Sequence, residues 1–429
     1  MENILNNNPE LKLKIIRPER LRTCEKVDKV VLSMLCFIYL FNPRFIATDL
    51  RKVIDIISLC GMLISIILRP IRVKNGILKA MRILVIFFIY LLVGLVFHII
   101  LDSNNTVAYL NNVYDVLSVF TRCFIVSIFF WRIIRKKKYK WNDMLDIIIL
   151  SGFMQLICVV LAFLFPQIKT LFNGFTIANS KSDYVAFSTK YNPYRSYGLG
   201  ENLFDSFGYV TALIILLTFI EGMHRRNVKL VVLSGVMVIM PLLNARTGVV
   251  LALIGFFIAF IRYTKKSLIQ SLKILLFAFG AMIVGAFFFK YIPESTQEWI
   301  TDGTKSINDL LFKHKTTGVF GVLSNQFILP ENLLFGEFGS PEMLGLGHSD
   351  IGYIQCIWRY GIVGTILLFW GYVNLSTYQN RITNNDRMKT FSICFNIILF
   401  VYLYKMFPFT NLGATLILLL CVLGCDNEC

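Results

Sequence analysis

The residues of this chain best suited to chemistry are one histidine and three arginines. His348 opens the block GHSDIGYIQCIWRYGIVG, within the stretch Leu344 to Gly364, where a long polar segment runs into an apolar helix. Arg359 follows eleven residues later. Eleven residues is about three helical turns, so both side chains fall on one face, roughly 16 Å apart along the axis. Arg246 sits in the tight turn LLNARTG, Leu242 to Gly248, and Arg195 in NPYRSYGLGENLFDSFG, Asn192 to Gly208. A guanidinium stays charged and binds phosphate oxygens in pairs, while an imidazole titrates near neutrality and can take a hydroxyl proton. Taken singly, each has a structural alternative: a snorkelling histidine, an arginine paired with a buried carboxylate, an arginine capping a turn, a solvated loop arginine. Together they favour an anion site.

The elements that must hold them are membrane helices. The 429 residues are 56% hydrophobic, and their mean hydropathy is +0.65. Apolar runs of bilayer-crossing length recur along the whole chain, about twelve of them. They lie near Val30–Phe45, Val53–Leu68, Ile83–Leu101, Val107–Phe130, Met144–Phe165 and Phe207–Ile220. The remainder lie near Leu230–Leu243, Gly248–Ile261, Ile274–Phe289, Ile351–Val373, Phe391–Met406 and Leu412–Gly424. The net charge of +17 comes largely from short loops on alternate connections, the densest being RIIRKKKYK at Arg132 to Lys140. That is the positive-inside pattern; it puts both termini in the cytoplasm and argues against nucleic acid as a partner. No signal peptide is visible in Met1 to Lys29. The chain thus reads as one all-α, polytopic membrane domain over residues 1–429, with two large outward loops at 167–206 and 290–347.

The spans flanking Arg246 are short, which should hold it recessed in the outer leaflet rather than in water. A lipid-linked pyrophosphate would present its phosphates at about that depth. In the first loop Tyr184, Tyr191, Tyr194 and Tyr197 cluster beside Asn192, Glu201, Asn202 and Asp205. Aromatic faces with hydrogen-bonding neighbours suit sugar rings, although tyrosines also favour membrane interfaces for their own sake. Tyr194, Tyr197, Glu201 and Asn202 are the candidate sugar contacts. In the second loop, the spacing of Trp299, Ile300, Ile307, Leu310 and Leu311 predicts an amphipathic surface helix over Glu298 to Leu311. Inside the spans, Asp115 and Arg122 share a face and pair with each other or with neighbours. No DxD-type carboxylate motif stands at an outward boundary, so no metal is indicated. The ten cysteines avoid both long loops, and no disulfides are expected.

The R-x-x-G at Arg195–Gly198 ahead of a span, the NARTG turn at Arg246 and the GHSD…RYGIVG block resemble those of the O-antigen polymerase and O-antigen ligase superfamily. These are polytopic glycosyltransferases of the bacterial inner membrane. The resemblance covers the central and C-terminal two-thirds of the chain, and GHSD stands where ligase-like members often have His-Asn. The spacing after Arg195 also departs from the arginine–glycine repeat of some polymerases. The resemblance implies periplasmic loops and site, a metal- and cofactor-independent reaction, and a role in lipopolysaccharide biosynthesis. It implies Arg195 and Arg246 as binders of undecaprenyl pyrophosphate, Arg359 as a further phosphate contact or an orienter, and His348 as the catalytic base. The implied partners are an undecaprenyl-pyrophosphate-linked oligosaccharide, membrane lipid and a chain-length regulator protein. The activity expected first is an O-antigen polymerase, which moves a growing polysaccharide to the non-reducing end of another lipid-linked repeat unit. The alternatives are a ligase acting on lipid A-core and, in another class, a polysaccharide flippase.

Overall fold

The computed structural model describes residues 27–45, 48–68, 75–101, 106–136, 141–177, 195–200, 204–264, 294, 297–298, 301, 326–339, 349–382 and 386–425. Within these the regular structure is helical apart from one antiparallel pair of two-residue strands, Arg44–Phe45 and Thr48–Asp49, and 195–200 and 326–339 are irregular. Helix α1 runs through residues 27–41. After the strand pair come α2 (Leu50–Leu68), α3 (Asn75–Leu101), α4 (Thr106–Lys136), α5 (Trp141–Leu164) and α6 (Pro166–Ile177). Then follow α7 (Phe204–His224), α8 (Val228–Met237), α9 (Ile239–Leu242), α10 (Arg246–Thr264), α11 (Gly352–Ile382), α12 (Asp386–Tyr402) and α13 (Leu412–Cys425).

Among the described residues, six helical stretches are long and apolar enough to cross a membrane: Ala80–Ile100, Tyr109–Ile134, Asn142–Leu164, Ser206–His224, Arg246–Thr264 and Gly352–Tyr378. Two shorter apolar helices, Val228–Leu242 and Leu412–Leu423, accompany them. The twelve spans expected from sequence are therefore matched only in part. Helix α2 carries Arg51, Lys52 and Asp55 in its first turns, and α12 is 17 residues long with three charges at its start. The expected span Ile274–Phe289 lies outside the described residues, as does almost all of the amphipathic helix expected over Glu298–Leu311. The first long loop begins with a helix, α6, because Pro166 at its first position leaves no helical donor missing.

The buried faces of the helices form one main apolar core, with a small second cluster at Ile351, Ile354 and Trp358. Helix α7 is its axis, with Phe207 to Met223 almost wholly buried. It leans on α10 through two glycines: a Cβ on Gly208 would lie 3.0 Å from the Gly248 nitrogen, so any side chain there would push the helices apart. At the other end of α7, the buried carboxylate of Glu221 accepts from Arg387 of α12 at 3.1 Å and from Arg225. Arg387 also donates to Asn142 Oδ1 at 2.6 Å, and Arg225 reaches Asp146 at 2.9 Å. Lys29 of α1 bonds Asp143 at 2.5 Å. This charged cluster ties α1, α5, α7 and α12 together at the end from which the basic segments leave.

Helix α11 is broken. Gly361 adopts φ 63°, ψ −177°, a conformation open to glycine alone, and the helical ladder stops there. The segment 326–339 fills the gap with its own backbone. Ile362 and Val363 donate to the Leu333 and Leu334 carbonyls at 2.9 and 3.2 Å, and Glu337 N–H donates to the Trp358 carbonyl at 2.8 Å. The Tyr360 carbonyl accepts from Tyr90 Oη of α3 at 2.8 Å. Four groups at the break, the Ile362 and Val363 N–H and the Trp358 and Tyr360 carbonyls, thus find partners outside the helix.

Candidate functional site

The chain around Arg195 is laced into the end of the bundle opposite the charged cluster. Ser196 Oγ donates to the Val159 carbonyl at 3.0 Å, and Gln155 Nε2 donates to the Tyr197 carbonyl at 2.7 Å. Gly198, at φ +63°, lies so close to α5 that a Cβ would sit 3.0 Å from the Val159 nitrogen. Val159 is five residues short of the end of α5 at Leu164, so the segment is sunk roughly 7 Å into the bundle. Arg195 is half-buried there, with Nη1 donating to Tyr197 Oη at 3.3 Å.

The Arg246 turn meets the same segment. Ser196 N–H donates to the Leu243 carbonyl at 3.3 Å, three residues before Arg246 begins α10. Asn244 is fully buried, its Nδ2 donating to the Met240 carbonyl at 2.8 Å, so that α9 is closed by its own turn. Its Oδ1 and the Oε1 of fully buried Gln155 have no hydrogen-bond partner among the described residues. Two buried acceptors without donors beside two arginines are unusual in a folded interior. Arg246 is half-buried, in keeping with a position below the bundle end.

Arg359 approaches from α11. Its guanidinium carbon lies 4.7 Å from the centre of the Phe407 ring, and its Nε is buried with no hydrogen-bond partner among the described residues. Asp115 of α4 acts on it through space. Phe407 belongs to the connection after α12, which is fastened to the start of α7: Asn411 Nδ2 donates to the Ser206 carbonyl at 3.2 Å. Below it Tyr209 stacks on Tyr402, ring centres 4.3 Å apart. Since Gly208 of α7 touches Gly248 of α10, Arg195, Arg246 and Arg359 all belong to the same end of the bundle.

Compared with protein-family models and with curated proteins, the chain matches none.

Of the remaining residues singled out from sequence, His348, Tyr194, Glu201 and Asn202 lie outside the described residues. Arg122 does not pair with Asp115 on its own helix: its Nε and Nη2 both reach Asp55 Oδ2 of α2 at 2.6 Å. Several contributors were missed. Phe407 has no distinguishing feature in sequence, being one of 38 phenylalanines. Gln155 and Asn244 lie in apolar surroundings, and polar groups there were a readable signal. Lys169 of α6 adds a further cation near this end, and burial pushes its ammonium pKa down from the usual lysine value.

Proposed function

We propose that this protein is a metal-independent membrane glycosyltransferase, an O-antigen polymerase of the bacterial inner membrane. In this reading both termini are cytoplasmic and the end bearing Arg195, Arg246 and Arg359 faces the periplasm. The observation that carries the reading is the Arg359 guanidinium. It is half-buried, stacked on Phe407 and short of a hydrogen-bond partner at Nε, at the same end as two further arginines. A guanidinium partly withdrawn from water with a buried donor unfilled is suited to an oxyanion.

The donor in this reading is a growing polysaccharide on undecaprenyl pyrophosphate. The acceptor hydroxyl, at the non-reducing end of a second lipid-linked repeat unit, attacks the anomeric carbon. The bond from that carbon to the pyrophosphate oxygen breaks, its electron pair leaves with the lipid pyrophosphate, and the configuration inverts. Arginines stabilise the charge that develops on the leaving group, and the His348 imidazole takes the acceptor proton.

The experiment uses Arg246→Ala and His348→Ala, expressed in cells that make the repeat unit. Both variants should insert normally into the membrane yet give no long-chain polysaccharide; wild-type chain lengths in both would remove the assignment. Deletion of the protein separates polymerase from ligase. A single repeat left on lipid A-core marks a polymerase, whereas accumulated lipid-linked chains with none on the core mark a ligase.

A further inference from the structure

We infer that residues 332–339 form a re-entrant wedge whose tip, Leu333 to Phe335, dips into the hydrocarbon of the bilayer. The inference is independent of the enzymatic reading. It starts from depth: the wedge is joined to α11 at Gly361, nine residues inside Gly352, or roughly 13 Å along the axis. It continues through neighbours. The wedge lies against α3, where the Phe338 ring sits over Gly94 and 4.6 Å from the His98 ring centre. Helix α3 is a membrane-length helix with eight large apolar side chains outward, including Val93 at 65% and Phe97 at 61% exposed. The tip of the wedge extends that surface, with Leu333, Leu334 and Phe335 at 40, 58 and 52% exposed. On its other side Ile362, Val363 and Ile366 of α11 are outward as well.

The backbone decides between lipid and water. Irregular chain survives at membrane depth only when its polar groups are satisfied by protein. Here the Leu333 and Leu334 carbonyls accept from Ile362 and Val363, and the Phe335 carbonyl accepts from Tyr90 Oη at 3.4 Å. Phe335 N–H donates to Asn332 Oδ1 at 3.1 Å, Gly336 N–H to the Asn332 carbonyl at 2.8 Å, and Asn332 N–H to Glu337 Oε1 at 2.9 Å. The Phe338 carbonyl accepts from Asn112 of α4. The carbonyls from Asn332 to Phe335 are thus all taken up within the protein, while the side chains of Leu333, Leu334 and Phe335 point outward, the arrangement a hydrocarbon partner selects.

The test uses the full chain in phospholipid vesicles. Leu334→Cys and Glu331→Cys are each treated with a charged, water-soluble maleimide, and labelling is read at the individual residue by proteolysis and mass spectrometry. The thiol at 334 should label at least tenfold more slowly than that at 331, with buried Cys356 protected in both variants as the sign of an intact fold. Equal labelling at 334 and 331 with Cys356 still protected would overturn the proposal. A photoreactive benzophenone side chain placed at 334 distinguishes the covering partner. Adducts with acyl chains support the wedge, and crosslinks to a second copy of the chain overturn it.

Discussion

Ile362 donates its backbone N–H to the Leu333 carbonyl, 2.9 Å away across a break in its own helix. Two segments distant in sequence therefore share one hydrogen-bond ladder, and Gly361 makes the sharing possible. In Gly361→Ala the added Cβ would run into the Leu334 carbonyl and the residue would be held at a φ that side chains resist. The expected cost is on the order of 1–3 kcal/mol from backbone strain alone. It should appear as a lowered midpoint of thermal unfolding in detergent and as faster hydrogen exchange at the amides of 362 and 363. Unchanged exchange there would mean that the ladder does not depend on this glycine.

Arg359 and Phe407 act as a pair in the proposed site. Arg359→Ala should reduce polymer formation by on the order of 10²-fold, the scale seen when an oxyanion contact is removed. Arg359→Lys keeps the charge and loses the planar fork, so its product should fall between the two. Phe407→Leu should weaken activity less, because it removes the platform and leaves the guanidinium. The polysaccharide ladder from cells carrying each variant measures all three, and an ordering in which Phe407→Leu is the most damaging would contradict the assignment.

Glu221 is held by two arginines that differ in burial, with Arg387 side-chain exposure at 6% and Arg225 at 27%. Removing the buried partner leaves Glu221 with Arg225 alone, a loss approaching the roughly 3–5 kcal/mol of a broken buried pair. Arg387→Ala should therefore depress the unfolding midpoint clearly more than Arg225→Ala. Adding Glu221→Gln to Arg387→Ala should recover part of the loss, which a double-mutant cycle would read as coupling.

The pair between Asp55 and Arg122 joins α2 to α4 along their lengths. In lipid, loss of one member strands the other. Arg122→Gln alone should destabilise the protein more than Asp55→Asn and Arg122→Gln together. Equal midpoints for the single and double variants would show that Asp55 is neutralised by other means.

Several of these features were legible in the sequence. Membrane helices follow from uninterrupted apolar runs, and the turn at Asn244–Arg246 from two short runs abutting at a polar triplet. The recessed depth expected for Arg246 rested on two short flanking spans, whereas α10 runs 19 residues from Arg246 itself. What sequence reasoning could not reach were relations across the chain. The run Ile351–Val373 reads as one continuous span, because a glycine within an apolar helix costs little and leaves no mark on periodicity. That Gly361 breaks the helix depends on residues 333 and 334, which supply replacement carbonyls from about thirty positions away. Likewise, Arg122 had two carboxylates within its helical reach or beyond it, and only packing of α2 on α4 selects Asp55.

The ionic knot around Glu221 has a consequence for how this protein could change over time. One pole of the helix bundle is riveted by charge, so substitutions there carry a heavy penalty whatever the substrate. The opposite pole is stitched from loops, turns and half-helices, where new side chains can be tried without loosening the whole. In the proposed activity, diversification toward different sugars would then be written at that pole, against a base that stays the same.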